Sequence, residues 1–256
     1  MKVVILAGGF GSRLSDYTDL VPKPMVTIGD KPIIFHIMNY YSQFGFKEFI
    51  VALGYKAEII KDYFLKYKEL NSNFTINMKS GEIEIHNKAS IDWKITLVET
   101  GLNTMTGGRL LRLKEFLSND DFMLTYGDGL SNVDIEKLVK FHKGHNKMVT
   151  VTAVRPVARF GELKIENNEV KSFLEKPQIG DGWINGGFFV MKSEIFNILK
   201  GDEDILERQP LEKVVSINQL CAYKHYGFWQ CMDTKRDRDR LEEIYLSKNI
   251  PWLKSE

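Results

Sequence analysis

The first twenty-four residues, MKVVILAGGFGSRLSDYTDLVPKP, constrain the fold more than any other stretch. Lys2 to Ala7 is a short apolar run of Val, Ile and Leu. Such a run suits a strand covered on both faces, as in the interior of a parallel sheet. It breaks into Gly8-Gly9-Phe10-Gly11-Ser12-Arg13, where three glycines let the backbone approach a ligand and turn its N–H groups inward. Arg13 and Lys23 flank this loop as charges suited to a polyphosphate.

Two well-known nucleotide loops are excluded. The dinucleotide fingerprint needs a small residue where Leu14 stands, and the hydrolase phosphate loop needs Gly-Lys before Ser or Thr. Downstream, the apolar spacing predicts a helix from Lys31 to Phe44, a strand from Glu48 to Leu53 and a helix from Lys56 to Tyr67. That order is a βαβ unit and predicts parallel pairing. A hairpin is expected from Phe74 to His86 about Ser80-Gly81. A strand from Trp93 to Glu99 should lead into a polar loop from Thr100 to Arg109, then a helix to Leu117. A buried strand from Asp121 to Thr125 ends in Tyr126-Gly127-Asp128-Gly129.

The second half reads as a helix from Val133 to His145, a strand from Met148 to Val154, and a hairpin about Asn167-Asn168. A strand from Gly186 to Met191 and helices around Ser193 to Leu199 and Glu212 to Asn218 follow. A strand from Gln219 to His225 and a charged helix from Asp233 to Ser247 end the pattern. No repeat, low-complexity linker or boundary interrupts it, so residues 1–256 read as a single domain: an α/β fold with a mixed, mostly parallel sheet flanked by helices, plus small β-hairpin insertions.

Charge narrows the partners. Thirty-five basic and thirty-four acidic residues nearly cancel, so no global field favours nucleic acid or a membrane surface. Cys221 and Cys231 are the only cysteines. Reduced, partly buried thiols are expected, as in a cytoplasmic protein, and no signal peptide or membrane-spanning run is read.

Chemistry is expected at the carboxyl ends of the strands, where open α/β sheets bind ligands. Asp128, between two glycines, is placed to ligate a phosphate-bound divalent cation. Asp233 opens the last helix, either as a second ligand or as its N-cap. Glu175-Lys176 offers a carboxylate for sugar hydroxyls beside an ammonium for a sugar phosphate, or else a surface ion pair. Asn185, before two glycines, suits close approach of a sugar ring, or a turn. His142 and His145 read as solvated surface, and His36 and His225 as core-edge side chains. No nucleophile elbow or zinc spacing is present.

The pattern LAGGxGSRL followed by PKP resembles the signature of the sugar-1-phosphate nucleotidyltransferases. TYGDG, RFGELKI, FLEKP, INGGFFV and GFWQ–MDT follow in that family's order, so the resemblance covers nearly the whole chain. Met105-Thr106-Gly107-Gly108-Arg109 is similar to the branch that transfers cytidylyl groups. The resemblance implies the Rossmann-like nucleotide-diphospho-sugar transferase fold and a magnesium ion. It also implies CTP and glucose 1-phosphate as substrates, and CDP-glucose for deoxysugar and polysaccharide biosynthesis as the product's use. Family members are often homo-oligomers, trimers or hexamers.

By the same resemblance, Leu6, Ala7, Gly8, Gly9, Phe10, Gly11, Ser12 and Arg13 hold the nucleotide, with Ser12 where Thr is common. Lys23 serves the phosphates, and Thr104 and Arg109 lie near the base or phosphates. Asp128 and Asp233 bind the metal, and Glu175, Lys176 and Asn185 face the sugar phosphate. Arg13, Lys23 and Asp128 are the expected catalytic groups. Cytosine selectivity needs a donor toward N3 or O2 and an acceptor toward N4. Arg109 with carbonyls near Gly107 and Gly108 would serve; so would the backbone of Ala7 to Gly9, with Arg109 on a phosphate. A nucleotidyltransferase using UTP, dTTP or another sugar 1-phosphate is the nearest alternative. A dehydrogenase, a glycosyltransferase needing Asp-x-Asp where Gly127-Asp128-Gly129 stands, and a non-catalytic nucleotide-sugar sensor fit less well.

Overall fold

The computed structural model describes residues 1–86, 91–117, 120–155, 162–166, 169–174 and 182–253. Its first strand, Val3–Leu6, is buried along its whole length. Alternate residues point to opposite faces of a strand. Val3 and Ile5 therefore join Ile33, Ile37 and Leu241 in one apolar cluster. Val4 and Leu6 join Leu110, Leu113 and Phe196 in another. Two covered faces explain why this stretch is apolar throughout rather than alternating.

Val3–Leu6 pairs in parallel with Glu48–Leu53 on one side and Phe122–Tyr126 on the other. Lys94–Glu99 extends the parallel part beyond Glu48–Leu53. Past Phe122–Tyr126 comes Phe189–Met191, antiparallel, then Val149–Val154, which carries Leu220–His225 in parallel on the sheet. The eight-stranded sheet is thus mixed and mostly parallel, with helices on its faces and short hairpins outside it. The hairpin of Phe74–Ile76 and Ile83–Ile85, and that of Glu162–Glu166 and Glu169–Leu174, form as expected.

Four departures from the sequence reading matter for the site. First, residues expected in a polar loop lie in a helix, Thr106–Arg112. Glycine is a poor helix former, but a side chain here would collide with a neighbouring segment. A Cβ on Gly107 would lie 2.8 Å from the Asp204 carbonyl oxygen, and one on Gly108 would lie 2.6 Å from the Asp202 Cα. The N–H groups of Met105, Gly107 and Gly108, left without intrahelical partners, donate to the carbonyls of Asp202 and Asp204 instead.

Second, the expected strand from Gly186 to Met191 is interrupted. Between the pairs Val149–Met191 and Ala153–Asn185 one strand advances four residues and the other six. The excess is absorbed around Gly187 and Phe188, both with positive φ. Bulges of this kind re-aim side chains next to sites. Third, Trp229–Cys231 is a strand that the pattern did not reveal, antiparallel to Gly129–Ser131.

Fourth, His142 is not a surface residue. It follows Ile135 and Leu138 on the inner face of the helix Ile135–His145, and it is fully buried. Its Nδ1 lies 2.8 Å from the Thr150 hydroxyl, and burial pushes its pKa down to about 4.

Candidate active site

The carboxyl ends of Val3–Leu6 and Phe122–Tyr126 open into a cavity of about 720 Å³. Residues 6–13, Lys23, residues 102–106, Arg109, residues 126–128, Glu203 and Asp233 line it. Leu6, Ala7, Gly8, Gly9, Phe10, Gly11, Ser12, Arg13, Lys23, Thr104, Arg109, Asp128 and Asp233 therefore stand in one place. Asn185 stands beside it, its Nδ2 donating to the Tyr126 hydroxyl at 3.1 Å. Glu175 and Lys176 lie outside the described residues.

The glycines of the first loop do different jobs. Gly9 faces open space, with nothing within 4 Å of where a Cβ would stand, so its backbone is accessible to a ligand. Gly8 instead makes room for Arg109, whose guanidinium nitrogen would lie 2.1 Å from a Cβ there. Gly54, at the end of the second parallel strand, clears the same guanidinium at 2.4 Å. Gly11, at φ +66°, turns the chain into the short helix Ser12–Leu14.

Arg109 is 4% exposed. Its terminal nitrogens donate to the carbonyls of Leu53, Gly8, Gly101 and Leu102 and to the Thr100 hydroxyl, at 2.7–3.1 Å. Burial, and the nearby Arg112, lower its pKa from the ordinary value. All five acceptors are neutral, so the guanidinium welds the Gly8 loop to the 100–102 turn and places a positive charge under the cavity floor. Gly107 and Gly108 pack against residues 202–204 and are not among the residues that line the cavity. Arg109 itself lines the cavity, with its guanidinium engaged by these five acceptors.

Lys23 follows Pro22 and precedes Pro24, and it opens the short helix Lys23–Met25. Pro24 packs on Gly127, where a Cβ would lie 3.0 Å from the proline ring. That contact carries Lys23 to Asp128. Its Nζ lies 2.5 Å from Asp128 Oδ2 and 2.6 Å from Asp233 Oδ1. Burial alone would lower the lysine pKa, but the two carboxylates outweigh it and hold the pKa above the ordinary value. Arg13, 76% exposed, donates to the other oxygen of Asp233 at 2.9 Å.

Asp233 is not the helix cap. Thr234 caps Lys235–Leu246 in a reciprocal capping box with Asp237. The carboxylate of Asp233 is thereby aimed at the cavity beside Asp128. Two carboxylates meeting at one cation, with space for phosphate oxygens, form a hard-oxygen donor set that suits a divalent ion. Among the described residues no group of three or more His, Cys, Asp or Glu is arranged to hold a metal ion by itself. Further ligands would come from substrate phosphates and water. Cys231, next to this pair, is no nucleophile: burial and the surrounding carboxylates push its thiol up to about 12.

Two side chains here went unread in the sequence. Tyr126 ends its strand with its hydroxyl donating to Glu207 at 2.6 Å. Glu207, in the turn after residue 200, also accepts from Thr106 at 2.6 Å. Tyr126 was visible as the residue before Gly127-Asp128; nothing in the sequence marked Glu207.

A parallel sheet ending in a glycine loop, with a lysine and two carboxylates at the cavity mouth, defines an α/β nucleotide-binding protein equipped for phosphoryl chemistry. The chain belongs to the nucleotidyl transferase family, which it matches over residues 2–234. It is 47% identical over 254 residues to glucose-1-phosphate cytidylyltransferase of Salmonella typhi, covering 98% of each chain. It is 42% identical over 253 residues to a probable glucose-1-phosphate cytidylyltransferase of Bacillus subtilis, covering 98% of this chain and 99% of that one. The fold is shared with HddC from Yersinia pseudotuberculosis complexed with GMP-PN: TM-score 0.71, 24% identity, 95% of this chain and 99% of that one.

Proposed function

We propose that this chain transfers the cytidylyl group of CTP to α-D-glucose 1-phosphate, giving CDP-glucose and pyrophosphate. A phosphate oxygen of the sugar phosphate attacks the α-phosphorus, a new P–O bond forms, and the bond to the β-phosphate oxygen breaks. No protein nucleophile is needed; the reaction asks for in-line positioning and charge neutralisation. The observation that carries this reading is the meeting of Lys23 with Asp128 and Asp233 at the cavity mouth, in a chain of this family. The 47% identity to a glucose-1-phosphate cytidylyltransferase over 98% of both chains supports the choice of substrates.

In this reading the open backbone at Gly9 admits the nucleotide, and the cationic side chains of Arg13 and Lys23 meet its phosphates. Arg109 acts from below by holding the Gly8 carbonyl and the 100–102 turn. Asp128 and Asp233 would hold magnesium, which would supply positive charge for the phosphate oxygens. Asn185, with Glu175 and Lys176, serves the sugar phosphate. The enzyme works as a homo-oligomer, a trimer or hexamer, in the cytoplasm. Among the described residues no helix is long and apolar enough to cross a membrane.

The test is pyrophosphate release from CTP, UTP, dTTP and GTP at equal concentration with glucose 1-phosphate. CTP should exceed the others by several factors of ten, because a buried polar contact left unpaired discriminates steeply. An equal rate with UTP or dTTP would overturn the cytidylyl assignment and leave the broader transferase reading intact.

A further inference from the structure

A chain of hydrogen bonds runs along the cavity rim, and its centre is a carboxylate outside every recognisable motif. Glu207 accepts from the Thr106 hydroxyl with one oxygen and from the Tyr126 hydroxyl with the other, each at 2.6 Å. The Thr106 oxygen accepts in turn from the Leu206 N–H at 2.9 Å. Asn185 Nδ2 donates to the Tyr126 oxygen at 3.1 Å, and Asn185 Oδ1 accepts from the Gly187 N–H at 2.9 Å.

The direction of every proton in this chain is fixed. An ionised carboxylate only accepts, so the Tyr126 O–H must point at Glu207. The Tyr126 oxygen is then left to accept, and its partner must be the amide nitrogen of Asn185. A backbone N–H only donates, so the Asn185 atom facing Gly187 must be the oxygen. Both ends of the amide are thus determined. Asn185 is exposed, and its second Nδ2 hydrogen has no partner within this chain of bonds. Gly187, at φ +73°, lies against the Tyr126 ring, so close that a Cβ on it would stand 3.1 Å away. The amide therefore sits on a braced surface.

We propose that Glu207 is a positioning residue for the sugar phosphate. It orients Tyr126, which locks the Asn185 amide so that an N–H is presented to an oxygen acceptor of the sugar phosphate. This rests on the reading of Asn185 as a sugar-phosphate group.

The experiment is steady-state pyrophosphate release by Glu207→Leu, Tyr126→Phe, the double variant and Glu207→Gln, with CTP and glucose 1-phosphate varied separately. Wild type is measured first: absence of turnover with glucose 1-phosphate defeats the proposed function itself. Given turnover, Glu207→Leu and Tyr126→Phe should each raise KM for glucose 1-phosphate about tenfold, the cost of one misaligned hydrogen bond. KM for CTP should stay within about twofold. The double variant should be no worse than the poorer single one, because both act through the same amide. Glu207→Gln should recover most of the loss, since its oxygen can still face Tyr126 while its NH2 meets Thr106. Equal shifts in both KM values, additive losses, or unchanged kinetics would overturn the inference. Should Glu207→Leu fail to fold, Tyr126→Phe keeps the test, since it removes only the hydroxyl: an unchanged KM for glucose 1-phosphate in that variant overturns the proposal.

Discussion

Gly129 and Cys231 are direct partners in a two-stranded antiparallel ribbon. That single pairing assembles the acidic half of the site. Just beyond it, the Met232 N–H donates to the Asp128 carbonyl at 2.8 Å. Asp128 and Asp233 then flank the same end of the ribbon, although 105 positions separate them in the chain. Lys23 inserts its ammonium between their carboxylates.

Lys23 is held by two prolines and two acids, so its ammonium is preorganised. Lys23→Ala is expected to lower turnover on the order of a hundredfold or more. With the ammonium gone, the two carboxylates repel one another and bind a divalent cation more tightly in the nucleotide-free protein. Melting with and without magnesium should show a larger metal-induced rise in the variant than in wild type. Turnover within a few-fold of wild type in a folded variant rules this role out.

Asp233 and Thr234 are neighbours with separable roles. Asp233→Asn, like Asp128→Asn, should raise the magnesium concentration needed for activity and leave ligand-free melting nearly unchanged. Thr234→Ala should cost about 1 kcal/mol of stability through loss of the capping box and leave the magnesium dependence alone. Both variants titrated with magnesium and melted would show the two effects exchanged if Asp233 were the structural residue.

Gly8 and Gly9 should also part company. Gly8→Ala drives a methyl group into the Arg109 guanidinium, and overpacking of this kind costs about 1–3 kcal/mol. Its melting temperature should fall clearly. Gly9→Ala meets open space and should melt like wild type, with weaker nucleotide binding as its only defect. Calorimetric titration with a nonhydrolysable CTP analogue, alongside melting, checks both; a normal melting temperature for Gly8→Ala defeats the packing assignment.

Acid should destabilise the fold through histidine. The pKa of His142 is depressed to about 4 by burial, and those of His36, His145 and His225 are lowered for the same main reason. Each takes up a proton more readily when unfolded, so the stability it contributes is complete above pH ~6.5, the ordinary histidine value. That contribution falls as pH drops through the unfolded pKa toward the folded one. His142 alone accounts for on the order of 2–3 kcal/mol between pH ~6.5 and ~4. Denaturant melts from pH 7.5 to 4.5 should show this loss, and His142→Gln should flatten it. A pH dependence identical in variant and wild type would remove His142 as its source.

The apolar run at Val3–Leu6 was legible because a strand buried on both faces leaves no place for a polar residue; the parallel sheet followed from it. The glycine loop, Lys23 between its prolines and Asp128 between its glycines were legible because glycines and prolines mark turns at strand ends, where a charged side chain stands ready for a ligand. What no local pattern carried was decided by contacts between distant segments. Gly8, Gly107 and Gly108 are small because Arg109 and residues 202–204 pack on them, and a sequence does not say which neighbour a glycine clears. His142 is buried because its helix turns that face inward, which overrides the polarity of the side chain. Asp233 faces the cavity rather than capping the helix because Thr234 takes the cap and the Gly129–Cys231 pairing aims the carboxylate at Lys23. Side-chain chemistry sets what each residue can do; only the tertiary structure sets which partners come within the few ångströms over which hydrogen bonds and ion pairs act.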